Sequence, residues 1–409
     1  MNLFRKAAAY VVRKLSLTDP AGWQPSSQIS YSGETVNETN VLGISSGWAC
    51  VNLLAGTIAS LPLGVYKEDG KGGIVPHKSH RLHRLLHSSP NADQTALEFW
   101  EFVAAAIELR GNAYARKVMV GSQVAALEPI LAPVTVDRMA SGKLRYRWTE
   151  DGKAYELPQE QVLHFRGFGG NALGGLSTLA MARNVFGIAI AADRAAGGMF
   201  KNGMRSSIGL TYDEFLTPEQ RSQIENGISK DYAGAMNSGK PFINEGGAKI
   251  EQLSFSPEDA QMLESRGFSV EEVCRWFGVP PHMVGHTTNS TSWGSGLEEQ
   301  VLGFLKFSLR RRVKRIEQRL AKDLLTPTDI AAGVSVSFNL DALLRGDSKT
   351  RAEFYSRMLQ SGVFTINEVR RLESLPPVDG GDVPRMQSQN VPIDQANGIG
   401  HNGGPALTE

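Results

Sequence analysis

The sequence predicts an α+β fold on three observations. Strand-like runs rich in β-branched and aromatic residues at 113–120, 126–130, 144–149 and 161–166 are separated by Gly, Asp-Gly and Pro turns without intervening helices. Such a pattern is not the βα alternation of a doubly wound sheet. Stretches of helical periodicity lie at 176–202, 256–277 and 302–324. Between the first two, a strand-helix-strand-strand pattern predicts a second, small α/β unit.

Taken in order, MNLFRKAAAYVVRKLSL places basic residues on both sides of a short apolar segment and has no small-residue cleavage site. It reads as an amphipathic arm rather than a secretory signal, and Phe4, Ala8, Val11 and Leu15 suit a neighbouring subunit or a membrane surface. Thr18 to Asn40 is polar, with Pro20, Pro25 and Gly33, and reads as a linker or extended arm. A helix is expected at about 47–60, a strand at 61–67, helices at 80–87 and 95–110, and then the four strands. Leu176 to Asn202 reads as one long helix with Gly187, Gly197 and Gly198 as close-packing positions. The small unit comprises a strand at 208–211, a helix opened by Thr217-Pro218 and running to about Tyr232, and strands at 241–244 and 249–255.

Ser256-Pro257 opens a helix that ends near Phe277, before the stop at Pro280-Pro281. The loop GHTTNSTSWGSG from Gly285 has no ionisable side chain apart from His286. Leu302, Leu305, Leu309, Val313, Ile316, Leu320 and Leu324 then recur at three- and four-residue steps, one helix face that must pack. The other faces carry Lys306, Arg310, Arg311, Arg312, Lys314, Arg315, Arg319 and Lys322, with Glu317 the one acid between Lys306 and Lys322. That charge run suits an anionic partner, DNA included, or salt bridges between subunits. A strand at 334–339, a helix at 349–361 closed by Gly362 and a short helix at 365–375 follow. From Pro376 to Glu409, Pro, Gly, Asn and Gln dominate, and a disordered tail is expected.

Length and composition bound the function. At 409 residues and 44.4 kDa the chain has room for about two to three domains of ~100–200 residues. Its net charge of +1 excludes a uniformly basic nucleic-acid coat, so any electrostatic role is local. Cys50 and Cys274 are its only cysteines; they read as small core residues in a reducing compartment, without a disulfide. No apolar run approaches the ~18–20 residues that span a bilayer.

Four motifs invite enzymatic or metal readings. GISSG at Gly43–Gly47 matches G-x-S-x-G, yet ETNVLG before it is a poor strand, and a helix entry with serine capping is expected. GFGGNA at Gly167–Ala172 lies between a strand and a helix, as a dinucleotide site requires. However, the next acid at useful distance, Asp193, falls inside a helix, so a glycine hinge is expected. GAMNSGKP at Gly234–Pro241 approaches a phosphate loop, but Pro241 replaces the magnesium-binding hydroxyl and the element order is reversed. His77, His80, His83 and His87 cluster without a carboxylate nearby in sequence, and an exposed subunit-contact helix is preferred over a metal site.

Several blocks together resemble the HK97-like portal proteins of tailed phages. They are SSPNADQTALEFWEF from Ser88, GNAYA from Gly111, QVLHFRGF from Gln161, SPEDAQMLE from Ser256, VPPHMVG from Val279 with the Ser/Thr/Asn-rich turn and GLEEQ from Gly296, and LLRGDSKTRAEFYSRMLQSGVFTINEVRRLESLPPVDGGD from Leu343. They span residues 40 to 382 in the family order. The family usually has a proline near Leu309; here Arg310–Arg312 follow, which leaves the predicted helix uninterrupted.

The resemblance implies a ring subunit with an N-terminal arm (1–40), an α+β wing (41–174), a stem helix (175–205), an α/β clip (206–255), a second stem helix (256–278), a tunnel loop (279–296), a long basic helix and return strand of the wing (297–340), a helical crown (341–375) and the tail (376–409). Such rings, typically of twelve subunits, occupy one capsid vertex for DNA packaging, head-tail joining and DNA ejection. The implied partners are further copies of the chain, double-stranded DNA, the terminase large subunit, the major capsid or scaffolding protein and a head-tail adaptor. No membrane, cofactor or catalytic residue is implied. Thr287, Thr288, Asn289, Ser290, Thr291, Ser292 and Trp293 are then the channel candidates, and Asp213, Glu214, Glu219 and Lys230 the motor-docking candidates. Assembly is expected in the host bacterial cytoplasm and final residence in the virion. A nucleotide-binding enzyme using GFGGNA and a monomeric nucleic-acid-binding module are the alternatives.

Overall fold

A computed structural model describes residues 28–70, 72–201, 208–211, 217–223, 249–252, 257–287, 295–340, 348–373 and 375–384. The chain forms two compact units, Met1–Phe338 and Asn339–Glu409. The mixture of helices with antiparallel sheets is α+β, as the sequence predicts.

The first unit opens where a linker is expected, with a hairpin of β1 (Gln28–Ile29) and β2 (Thr35–Val36). Gly33, at a φ of 78°, makes its turn. The hairpin is set by α6 (Arg183–Lys201), against which it lies: a Cβ at Gly187 would come within 2.1 Å of Ser30 Oγ, and Arg194 pairs with the largely buried Glu34 at 2.8 Å. Gly187 is thus a close-packing glycine as expected, whereas Gly197 and Gly198 meet open space.

After α1 (Glu38–Leu42), the core is built on α2 (Ser45–Ser60), which packs along α4 (Ala96–Arg110). Thr95 and Glu98 form a capping box that starts α4, and Gly111, at a φ of 72°, ends it. Trp100 on α4 is almost fully buried. Its indole N–H donates to the Leu86 carbonyl at 3.0 Å, and its ring meets Phe165 and Phe338 edge-on. Satisfying the N–H lets the whole indole stabilise the core through buried area and aromatic geometry.

Among the described residues, three three-stranded antiparallel sheets accompany these helices. One has the order β10-β5-β6, from Val162–Arg166, Asn112–Val120 and Gln123–Pro129. The second has the order β13-β3-β4, from Val334–Phe338, Leu63–Glu68 and Ile74–Pro76; Val336 opposite Val65 ties the end of the unit to its beginning. The third, β7-β8-β9, is Thr135–Arg138, Leu144–Glu150 and Lys153–Pro158 over a core of Ile130, Val136, Leu144, Tyr146, Trp148 and Val162. Strands β4, β7 and β9 were not expected from the sequence: each is short, polar or edge-placed, and each becomes a strand only by pairing with a stronger neighbour.

The helix expected over 176–202 is two, α5 (Thr178–Met181) and α6, divided at Ala182. Strand β11 (Ile208–Thr211) pairs antiparallel with β12 (Lys249–Gln252), and a helical stretch covers 218–223, where the Thr217 hydroxyl accepts the Gln220 N–H. Strand 241–244 and the rest of that helix lie outside the described residues, as does the arm at 1–17. α7 runs from Pro257 to Phe277, as Ser256-Pro257 predicts.

The second unit contains α11 (Ser348–Gln360) and α12 (Ile366–Leu372). Asn367 is buried there. It donates to the Val378 carbonyl (3.0 Å), accepts the Val378 N–H (2.8 Å) and donates its own N–H to Gly381 (2.9 Å). This side chain therefore holds residues 375–384, which corrects the expectation of a tail disordered from Pro376 onward. Composition omitted one buried amide that satisfies the Pro/Gly backbone. Residues 385–409 are outside the described set.

Candidate functional site

The site is the junction from which the uncharged loop emerges. α7 ends at Phe277, and Gly278 (φ 63°) turns the chain. Pro281 begins a short 3-10 turn to Val284, closed by Gly285 (φ 81°). The N–H of His286 donates back to Pro281 at 3.1 Å, and its ring Nε2 stands 3.8 Å from Glu271 of α7. Thr287 is exposed; Thr288, Asn289, Ser290, Thr291, Ser292 and Trp293 lie outside the described residues. The chain is described again at α8 (Ser295–Gly303), which runs through a π-helical turn at Phe304–Leu309 into α9 (Arg310–Leu324).

That π turn corrects the expected stripe. The predicted periodicity puts Leu302 on the packed face, but Leu302 is 49% exposed while Phe304 and Ser308 are buried and Phe307 is 72% exposed. Widening the turn by one residue shifts the phase of all positions before Leu309. From there Leu309, Val313, Ile316, Leu320 and Leu324 are buried as expected. The helix continues through Arg310–Arg312 without a break, but it is not uniformly α-helical.

Arg312 joins the two ends of the loop. It is 8% exposed, and all five guanidinium N–H groups have acceptors. Nε and Nη2 form a fork on Glu108 of α4 at 2.7 and 2.8 Å; Nη2 also donates to the Phe277 carbonyl at 2.7 Å; Nη1 donates to the Ser308 carbonyl and hydroxyl at 3.1 and 2.6 Å. Ser308 in turn donates to Gly278 O at 2.7 Å. One side chain thus takes up a carbonyl at the end of α7, fixes the π turn and anchors both to α4. Arg315 borders the same pocket. Desolvation there pushes its pKa below the usual arginine value, opposed by Glu108 and reinforced by the charges of Arg312 and Arg311.

The basic run is therefore not one surface. Lys306, Arg310, Arg311, Lys314 and Lys322 are exposed, whereas Arg312 is interior and Arg319 is mostly covered and pairs with Asp323 at 2.5 Å. Sequence reading grouped all eight as surface charge; the structure corrects this for Arg312 and Arg319, whose partners are within the chain. Lys314 pairs at 2.6 Å with the buried Glu317, which also accepts the Phe338 N–H at 2.8 Å and so holds the end of β13. Glu108 was not singled out from the sequence. Its signal is an acid within VAAAIELR, on the buried side of an apolar helix.

The far end of α9 involves the histidine cluster. Arg81 of α3 (Arg81–His87) donates to Leu324 O at 3.2 Å and to Asp329 at 2.9 Å, and His80 Nε2 reaches Asp329 at 3.3 Å. Sequence proximity offered no carboxylate; tertiary structure supplies one from α10 (Pro327–Ala331). Burial alone raises the Asp329 pKa, but hydrogen bonds from the Thr326 backbone and hydroxyl, Arg81 and His80 outweigh it and hold this carboxyl well below its ordinary value. Among the described residues, no group of three or more His, Cys, Asp or Glu is placed to hold a metal.

The other motifs resolve into structural roles where they are described. In GISSG, Ser45 and Ser46 form the first turn of α2 after another helix rather than a strand, and the N-cap is Ile44 without a side-chain bond. This corrects the expected serine cap. A Cβ at Gly47 would meet Val41 O at 2.3 Å, so close packing explains that glycine. In the GFGGNA segment, Gly167 N–H donates to Gly111 O at 2.6 Å, and a Cβ at Gly175 would lie 2.3 Å from Gly111 O. Asn112 fills the turn, accepting Gly175 N–H at 2.8 Å, while Asn171 accepts Leu173 N–H at 2.7 Å. Within the motif, the Gly167 and Asn171 amides, which a phosphate cradle would use, already donate to Gly111 O and Gly174 O. GAMNSGKP and the clip candidates Asp213, Glu214 and Lys230 lie outside the described residues; Glu219 is exposed on the 218–223 helix.

Asn112 also accepts Nε2–H of the fully buried His164 at 2.9 Å, whose Nδ1 accepts the Tyr146 hydroxyl at 3.2 Å. Desolvation first, then the charges of Arg166 and Arg319, hold His164 well below the ordinary value of 6.5. The folded chain keeps it neutral, while the unfolded chain takes up a proton below about pH 6.5. The His164 contribution is therefore present above pH 6.5 and lost as pH falls toward its folded pKa, at up to about 1.4 kcal/mol per pH unit. Urea unfolding between about pH 7.5 and 5 is expected to show this slope, and His164→Gln to flatten it. An unchanged slope in the variant contradicts the assignment.

A family model described as "Phage portal protein" matches residues 45–374. The chain is 39% identical over 373 residues to the portal protein of Enterobacteria phage HK97, covering 90% of this chain and 88% of that one. It is 32% identical to the probable portal protein of Streptomyces phage phiC31, over 86% and 79% of the two chains. In fold it is similar to a chain in the neck of a native gene transfer agent particle computed with C12 symmetry: TM-score 0.57, 23% identity, 90% and 99% coverage.

Proposed function

This chain belongs to the phage portal protein family, and on that premise we propose that twelve copies associate head-to-tail into a closed ring around double-stranded DNA. The observation that carries the ring is the surface of the helices. Met181, Ile188, Phe268, Trp276, Leu302 and Phe307 are exposed on α5, α6, α7, α8 and the π turn, while α6, α7 and the π turn also bury residues in the core. Large apolar side chains in such number call for a partner surface, and a heterologous contact that closes produces a ring. The twelvefold count follows the C12 symmetry of the similar neck structure.

Within the ring, residues 41–174 and 297–340 form the wing, 175–205 and 256–278 the stem, 206–255 the clip, 279–296 the tunnel loop and 341–375 the crown. The loop from Thr287 to Trp293 faces DNA. Asp213, Glu214, Glu219 and Lys230 on the clip dock the terminase large subunit and afterwards a head-tail adaptor, and the wing meets the major capsid or scaffolding protein. The chain catalyses no reaction of its own and uses no cofactor; ATP hydrolysis belongs to the terminase. Assembly takes place in the bacterial cytoplasm and the ring remains in the virion.

Mass photometry of the purified chain is expected to show a species of about twelve times 44.4 kDa. A strictly monomeric protein at micromolar concentration across salt conditions contradicts the ring.

A further inference from the structure

The two cysteines of this chain, 224 residues apart in sequence, meet in the core. Cys50 lies in the middle of α2 and Cys274 in the last turn of α7, both with no exposure. Their Sγ atoms are 3.7 Å apart, with Cys50 donating to Cys274, and both are free thiols. A cavity of about 190 Å³ opens between α2, α6 and α7. Ser46 and Val270 line it, each one helical turn before a cysteine. Neither cysteine lines this cavity, and both sulfurs are shielded from solvent, so a small oxidant reaches the pair more readily than an aromatic thiol reagent.

We propose that Cys50 and Cys274 form a peroxide-oxidisable pair, converted by one hydrogen peroxide into a disulfide that joins α2 to α7. The Cys274 sulfur, as thiolate, attacks a peroxide oxygen; the O–O bond breaks, hydroxide leaves and a sulfenic acid forms. The Cys50 sulfur then attacks that sulfur. The S–S bond forms, the S–O bond breaks, and the hydroxyl leaves as water with the Cys50 proton. Two thiols and one peroxide give one disulfide and two waters, with two electrons passing from sulfur to peroxide. The order follows from the hydrogen bond: donation by Cys50, with burial, pushes its own pKa up, while the same bond lowers that of Cys274.

The role of this chemistry rests on the reading of the chain as a virion component. Thiols stay reduced in the cytoplasm where the ring assembles and meet oxidants once the particle has left the cell. The bond would then tie α7, whose end carries the loop and the Phe277 carbonyl held by Arg312, to a helix of the main core.

The test uses the full chain in its native state. Expected results are that 5,5′-dithiobis(2-nitrobenzoate) leaves both thiols unreacted on the timescale in which hydrogen peroxide consumes both. The intact mass falls by two hydrogens, digestion yields a Cys50–Cys274 cross-linked peptide, and dithiothreitol restores the thiols. The oxidised chain unfolds at higher temperature than the reduced one, a shift absent in Cys50→Ala. In that variant Cys274 gains only oxygen; Cys274→Ala is the reciprocal control if Cys50→Ala fails to fold. Two titratable thiols after peroxide and unfolding, or oxygen adducts without the cross-link, overturn the proposal. Particle mass is read on the same sample: a cross-linked monomer contradicts the ring and supports the thiol pair, and a ring with both thiols intact does the reverse.

Discussion

Arg312→Ala is expected to destabilise the protein by about 3–5 kcal/mol, the cost of leaving one partner of a buried ion pair without the other. The loss exceeds that of an exposed charge because Arg312 and Glu108 are both under 9% exposed and the guanidinium also satisfies Phe277 O and Ser308. Without it, Glu108 keeps a buried charge and the end of α7 loses the donor that joins it to the π turn. Arg312→Lys does not restore the site, since a single ammonium cannot reproduce the fork on Glu108 and the two further directions. Glu108→Leu combined with Arg312→Met is expected to recover much of the loss, because it removes the orphaned charge and keeps apolar volume. Denaturant unfolding at one protein concentration measures all three variants. A cost below about 1 kcal/mol for Arg312→Ala rules out the clamp.

Ser292→Lys is expected to assemble rings yet slow or stall DNA packaging, while Ser292→Ala packages nearly as wild type. Each lysine that contacts a phosphate adds salt-dependent affinity with a slope of about −0.9 in log–log terms, and a ring multiplies such contacts at one constriction. The natural loop carries uncharged hydroxyl and amide groups from Thr287 to Ser292, a side-chain chemistry that on the proposed reading would hold a phosphate backbone only weakly. Added salt should partly relieve the lysine variant. Packaging at the wild-type rate by Ser292→Lys rings in low salt, measured with the motor present, removes this loop from the channel wall.

Local chemistry made much of the fold legible. Thr95 with Glu98 three residues on, Ser256-Pro257, the Gly111 stop and the alternation in Asn112–Val120 each act within a few residues, so their structural consequences can be read without knowing the rest of the chain. The blocks that carry the family resemblance are likewise contiguous, and the 39% identity to the HK97 portal protein extends over most of the chain. At the candidate site the loop composition and the buried face from Leu309 to Leu324 were legible for the same reason.

Contacts between distant segments were not. A run of arginines has one appearance in sequence, but Arg312 meets Glu108 from 204 residues away and leaves the surface, while Arg310 and Arg311 remain on it. Asp329 joins His80 and Arg81 from 249 and 248 residues away, and Val336 finds Val65 to complete a sheet. A single π turn moves Leu302 off the face its spacing assigned. By itself the sequence determined most of the helices, the stronger strands and the family, because propensity and periodicity are local energies. Only the tertiary structure decided which charges are buried, which strands pair and which two thiols touch, because burial and pairing energies depend on a partner whose position the chain sets only when it folds.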